Sequence, residues 1–185
     1  AYQPGSEGAA AIRDVLFGDF NPSGILPFSY PQFTGDILPY DHGVLAEIQQ
    51  LTPGRITHNG YKPQWPFGHG LSYTTFEYSG LGLGSKSIGA GEVQTVSVKV
   101  SNTGSRGGYH AVELYLSDLY ASLSPAARKL RGTRKIYLEP GESAVVSFEL
   151  REPALSFINA DLQRVVEPGK FRVQVGDQAA TFRYQ

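Results

Sequence analysis

The stretch WPFGHGLSYTTFEY, Trp65 to Tyr78, separates two kinds of sequence. Ahead of it the apolar residues fit one helix and one short strand, and behind it they alternate as in β-strands. Gly68 and Gly70 bracket His69 at positions suited to positive φ or to close backbone approach. Thr74, Thr75, Phe76 and Tyr78 then supply the β-branched and aromatic side chains that open a strand. A domain boundary is expected here.

Downstream, strands are predicted at 75–82, 93–101, 111–117, 134–138, 143–150, 163–166, 170–175 and 181–184. Val96, Val98 and Val100 share one face of their strand, as do Val112, Leu114 and Leu116 of the next, and both sets are assigned to the core. Asn102-Thr103-Gly104, Glu139-Pro140-Gly141-Glu142 and Glu167-Pro168-Gly169-Lys170 carry turn chemistry between them. About seven short strands separated by such turns is the pattern of an immunoglobulin-like sandwich.

Upstream, Pro4-Gly5-Ser6 reads as a turn with Ser6 as helix N-cap, and Glu7 sits where the helix dipole favours an anion. Ala9, Ile12, Val15 and Leu16 share a helical face, and Gly18 is placed as the stop. Asn21-Pro22-Ser23-Gly24 makes a turn into a strand from Ile25 to Tyr30, with Pro27 marking an edge or a bulge. From Gln32 to Gln64, Pro, Gly and isolated aromatics follow without period, which predicts a long ordered connector.

The 185 residues suffice for a core without covalent staples. The absence of Cys excludes disulfides, Cys-metal sites and Cys nucleophiles. Sixteen basic and 17 acidic residues leave no electrostatic footprint for nucleic acid or for an anionic membrane. No apolar run approaches the roughly 20 residues of a membrane span. There is no Met, even at position 1, which favours a segment from within a longer polypeptide. With 22 Gly, 12 Pro, 10 Phe and 11 Tyr the composition suits a β-rich, turn-rich architecture.

Several of these segments resemble one family. WPFGHGLSYTTFEY is similar to the FPFGxGLSYTxFxY run of family 3 glycoside hydrolases, the β-glucosidase family. PGSEGAAAIRDVLFGDFNPSGILPFSYP resembles the same family's PGxxGGxAIADVLFGDxNPSGKLPxTxP, with Gly8-Ala9 where Gly-Gly or Gly-Asn is usual. The likeness continues through VSVKVSNTGSRGGYHAVELYLSD, LRGTRKIYLEPGESAVVSFEL and LSFINADLQRVVEPGKFRVQVG, in order along almost the whole chain. It implies three regions: the end of an α/β-sandwich domain over 1–31, a connector over 32–70, and a fibronectin type III-like β-sandwich over 71–185. The implied setting is periplasmic or extracellular. The implied partners are a catalytic barrel and the remainder of the α/β sandwich, with a β-glucoside as the parent's substrate.

Glycoside hydrolysis needs two carboxyl groups, about 5–5.5 Å apart for retention and roughly 6.5–9.5 Å for inversion. In this retaining family the resemblance places the nucleophile, an Asp, in the barrel and the acid/base, usually a Glu, earlier in the α/β sandwich, and neither motif occurs here. Asp14 and Asp19 flank a helix end, Asp36 and Asp41 lie in the connector, and Glu113 alternates outward on a strand, so all read as solvated or capping carboxylates. His42, His58, His69 and His110 show no metal-ligand spacing, and no nucleophile elbow is present, so neither a metal nor a cofactor is expected. His69 reads as a structural residue of the Gly-His-Gly turn. Gly80-Leu81-Gly82-Leu83-Gly84 follows a strand without leading into a helix, which is the wrong context for a phosphate loop.

Only the connector has binding character. Tyr40, Asp41, His42, Tyr61 and Trp65 combine aromatic faces that stack on sugars with polar groups that bond hydroxyls, or else they pack the connector onto its neighbours. The expected function is that of a non-catalytic, structural C-terminal portion of a β-glucosidase. The alternatives are a free-standing carbohydrate-binding module and a protein-interaction sandwich, and neither accounts for the helix and strand at residues 6–30.

Overall fold

The computed structural model describes residues 4–36, 39–43 and 62–185. His58 and Tyr61 lie outside them. Val96, Val98 and Val100 alternate with Ser97, Lys99 and Ser101, and the pattern builds β3 (Gln94–Asn102) with one dry face. β3 is the middle strand of a three-stranded antiparallel sheet, between β1 (Phe76–Leu83) and β6 (Ser143–Leu150). Val96 stands opposite Phe148 and Val98 opposite Val146.

The second sheet runs β2 (Ser87–Ile88), β10 (Gln178–Tyr184), β9 (Gly169–Val175), β4 (Gly108–Asp118), β5 (Lys129–Leu138). Its pairings are antiparallel except the short parallel one of β2 with β10. Val112, Leu114 and Leu116 of β4, with Phe171, Val173 and Val175 of β9, face the valines of β3. The rings of Phe171 and Phe182 stack at 5.6 Å between centroids. Each such side chain stabilises the sandwich by roughly 1.5–3 kcal/mol as an upper figure. Between β6 and β9 the chain forms a short helix, α2 (Glu152–Leu155), and a small hairpin of β7 (Phe157–Ile158) and β8 (Arg164–Val165). Gly80 and Gly82 of the glycine run belong to β1, where a register shift between Ser79 and Gly82 marks a bulge.

Upstream, α1 spans Gly8–Leu16. Its N-cap is Glu7, one residue past the expected Ser6, and no side chain caps it. Gly18 takes φ +84 after the last turn, the left-handed stop that its position predicts.

The strand expected over 25–30 does not form; an isolated bridge of Tyr30 with Trp65 takes its place. Leu26 donates its N–H to the His69 carbonyl (2.8 Å) and accepts from Gly68 N–H (2.9 Å), while Tyr30 donates to Trp65 (2.8 Å) and accepts from Gln64 (2.9 Å). Pro27 and Pro66 have no N–H to give, so the ladder between these segments is interrupted and no regular strand results.

Candidate functional site

Asn21 holds the upstream arm to the rest of the molecule. Its side-chain oxygen accepts the Tyr73 backbone N–H at 2.7 Å, and its amide exchanges hydrogen bonds with the Ser72 hydroxyl at 3.1 and 3.2 Å. It is only 8% exposed. Tyr73 in turn donates its hydroxyl to the Val15 carbonyl (2.7 Å), and the Arg106 guanidinium donates to the carbonyl of Gly18, so the end of α1 is fixed from the hinge and from the sandwich. One step on, the Thr74 hydroxyl donates to Asn102, whose amide donates to the carbonyls of Arg106 (2.7 Å) and Leu138 (3.0 Å).

Between hinge and sandwich lies a cavity of about 430 Å³. Gly68, at φ +81, forms part of its wall against Glu113 and Tyr115 of β4. The Tyr115 hydroxyl donates to Glu113 Oε2 at 2.8 Å, and the Arg128 guanidinium lies 4.9 Å from the Tyr115 ring centre. Burial pushes the Glu113 carboxyl above its usual range, while the Tyr115 hydrogen bond and the Arg128 charge pull it back. In the same cavity His110 stacks on Phe76 at 4.2 Å and shares a 2.6 Å hydrogen bond with the Tyr78 hydroxyl through Nε2. Burial lowers the His110 pKa and, with the charges of Glu113 and Asp177, raises that of Tyr78 to about 12. Burial thus favours the neutral imidazole.

The sequence candidates separate. Tyr40 is half-buried, stacks on Phe67 at 4.1 Å and accepts the Leu130 N–H through its hydroxyl at 3.4 Å, so it packs the connector onto the sandwich. His42 is buried, with Nδ1 2.9 Å from the Pro39 carbonyl and its own carbonyl accepting from Ala127 N–H at 2.8 Å. Asp41 is exposed. Trp65 is 42% exposed and continues a row, with Phe28 6.1 Å from Tyr30, Tyr30 5.1 Å from Trp65 and Trp65 6.4 Å from His69. Tyr40 and His42 are thus brought to the sandwich, Trp65 stands apart on the arm, and Tyr61 lies outside the described residues.

The backbone of His69 locks its turn, donating to Pro66 at 3.0 Å and accepting from Leu26. Asp36 closes a turn on Phe33 N–H at 2.9 Å, and Asp14 pairs with Arg13 at the surface. Glu113 corrects the sequence reading, since it is half-buried beneath the hinge instead of solvated. The signal was its company on that side of β4, Ala111 and Tyr115, which is not a water-facing set. Among the described residues no helix is long and apolar enough to cross a membrane.

A fibronectin type III-like sandwich with an arm latched beside it is the class of protein that this geometry defines. The family model described as fibronectin type III-like domain matches residues 110–179, and that described as glycosyl hydrolase family 3 C-terminal domain matches residues 1–73. The periplasmic β-glucosidase of Salmonella typhimurium is 42% identical over 95% of this chain, and the lysosomal β-glucosidase of Dictyostelium discoideum 40% identical over 96%. The crystal structure of a β-glucosidase from Listeria innocua in complex with glucose superposes with TM-score 0.89 at 34% identity, over 98% of this chain and 27% of its own. The chain belongs to glycoside hydrolase family 3, of which it carries the C-terminal part. It spans 24% of the length of the Salmonella relative and 22% of the Dictyostelium one.

Proposed function

We propose that this chain is the non-catalytic, structural C-terminal portion of a retaining β-glucosidase, and that the complete enzyme hydrolyses β-linked glucosides with carboxylates carried elsewhere. The observation that carries the reading is the contrast between a closed sandwich core and an open apolar arm. Leu16 is 72% and Phe17 81% exposed, and Ile12 and Phe28 are exposed as well. Full burial of such a side chain stabilises by roughly 1.5–3 kcal/mol, so the arm is suited to docking on the remainder of an α/β sandwich and a catalytic barrel. The division at residues 31 and 70 and a periplasmic or extracellular setting belong to the same proposal. The setting is supported by the name of the Salmonella relative.

The test is an aryl β-glucoside assay of the chain alone and of the complete enzyme. Turnover by the complete enzyme and none by the chain is expected. Turnover by the chain that disappears on substitution of Asp36 or Asp41 would assign catalysis here.

The row of Phe28, Tyr30 and Trp65 favours a second reading, in which Trp65, with Asp41 and Tyr61 of the connector, contacts sugar. Trp65 is the only tryptophan, so its fluorescence reports directly on a titration with cello-oligosaccharides. A saturable change lost in Tyr30→Ala supports a sugar platform, and a flat titration leaves the row as a docking face.

A further inference from the structure

The pairing of β5 with β4 slips at one step: Gly132 stands opposite Leu114 and Leu130 opposite Tyr115, so Arg131 has no opposite residue. A bulge re-aims a side chain. Arg131 lines a cavity of about 330 Å³ between the loop that follows β4 and the segment from α2 to β7. The walls mix apolar side chains, Leu116, Leu155, Phe157 and Phe171 among them, with polar ones. The Arg131 Nε is buried and, among the described residues, has no hydrogen-bond partner. Among the described residues, the groups that act on it electrostatically are the Tyr40 phenol and a second cation, Arg164. Lys129 lines the same cavity, and Asp118, also in its wall, receives the Tyr120 N–H at 3.2 Å.

Removing a guanidinium from water without a counter-ion is unfavourable, and arginine does not escape by losing its proton. Burial already works against the charge here, and Arg164 adds to it. The planar fork of N–H donors fits a carboxylate with two parallel hydrogen bonds. Leu123 and Ile158, which line the cavity, are both more than a third exposed, so an entering carboxylate meets apolar surface around it. The exposed Leu123 and Ile158 gain cover when the carboxylate arrives on a folded segment, which a free hydrated anion does not give them.

We propose that the Arg131 cavity receives an Asp or Glu side chain from the part of the complete enzyme that lies outside this chain. The proposal rests on reading the chain as one portion of a larger glycosidase. It assigns to the bulge of β5 the task of holding a cation ready for that contact.

Arg131→Met keeps the length of the side chain and removes its charge. Thermal unfolding is measured for the 185-residue chain and for the complete enzyme, wild type and variant. In the chain alone, loss of an unpaired, partly desolvated charge leaves Tm unchanged or raises it. In the complete enzyme the same change strands a buried carboxylate and lowers Tm by several degrees, and Arg131→Lys, which keeps the charge without the fork, falls between. An equal fall in the chain alone means that the guanidinium is partnered within it, and no fall in the complete enzyme means that no carboxylate arrives; either overturns the proposal. An active, intact enzyme insensitive to Arg131→Met removes the proposal alone. If limited proteolysis releases the C-terminal portion with no loss of activity or stability in what remains, the structural role proposed above falls and this proposal falls with it.

Discussion

A methyl group added to Gly68 would stand 2.5 Å from Oε2 of Glu113 and 3.0 Å from the hydroxyl of Tyr115, so the hinge backbone lies directly against a carboxyl–phenol pair of the sandwich. Gly68 also holds φ +81. Gly68→Ala is expected to meet both penalties: the left-handed backbone costs about 1–2 kcal/mol, and displacement of Glu113 adds to it. Gly80, at φ +63 with nothing within 4 Å of an added Cβ, meets only the first. Denaturant unfolding of the two alanine variants should show Gly68→Ala as the more destabilised. Equal losses would mean that the contact with Glu113 is too soft to matter.

Glu113 gives the junction a pH dependence of calculable sign. Its carboxyl is raised above the ordinary glutamate value in the folded protein, by burial first, against the Tyr115 hydrogen bond and the Arg128 charge. A raised carboxyl contributes stability that is fully present below its unfolded pKa and is lost as pH rises through the folded value. Glu113→Gln keeps an acceptor for Tyr115 and has no proton to lose. It should therefore raise Tm more at pH 7 than at pH 4. His110 acts oppositely: its pKa is depressed, so its contribution is present above about 6.5 and is lost as pH falls through the lowered value. A Tm advantage of Glu113→Gln that is the same at both pH values would refute the shift.

The strands were legible because their side chains alternate cleanly. Val96, Val98 and Val100, and Val112, Leu114 and Leu116, are in the core. The strand at 25–30 was misread because Ile25, Leu26 and Phe28 have strand character, whereas Pro27 and Pro66 leave N–H gaps that only the pairing reveals. Of the site, the connector aromatics announced themselves by type, yet whether a ring stacks inward, as Tyr40 does on Phe67, or stays open, as Trp65 does, depends on chain crossings remote in sequence. Arg131 was invisible for a similar reason. In the sequence it lies ahead of the strand expected over 134–138, and only the register of β5 against β4 sets it apart.

Asn21 is expected to be the most sensitive polar residue of the arm. Asn21→Ala removes the acceptor of the Tyr73 N–H, a part-buried bond whose net loss costs about 0.5–1.5 kcal/mol. The loss should be local as well as global, with faster hydrogen exchange at the Tyr73 amide. An unchanged exchange rate would show that another group or water replaces the carboxamide.

Leu16 and Phe17 separate the chain from the enzyme it is proposed to belong to. At 72% and 81% exposure they contribute little to the stability of the chain by itself, so Leu16→Ser with Phe17→Ser should change its unfolding free energy by no more than about 0.5 kcal/mol per site. The same pair should reduce self-association of the chain in sedimentation, because it removes apolar surface that otherwise seeks cover. In the complete enzyme the outcome reverses. If the two side chains dock on the rest of an α/β sandwich, each loses the roughly 1.5–3 kcal/mol of a buried apolar side chain, and the double variant should melt earlier or shed activity on mild heating. A complete enzyme that tolerates both serines as well as the chain does would mean that this face of α1 stays in water, and the arm would then have to be explained without a docking partner.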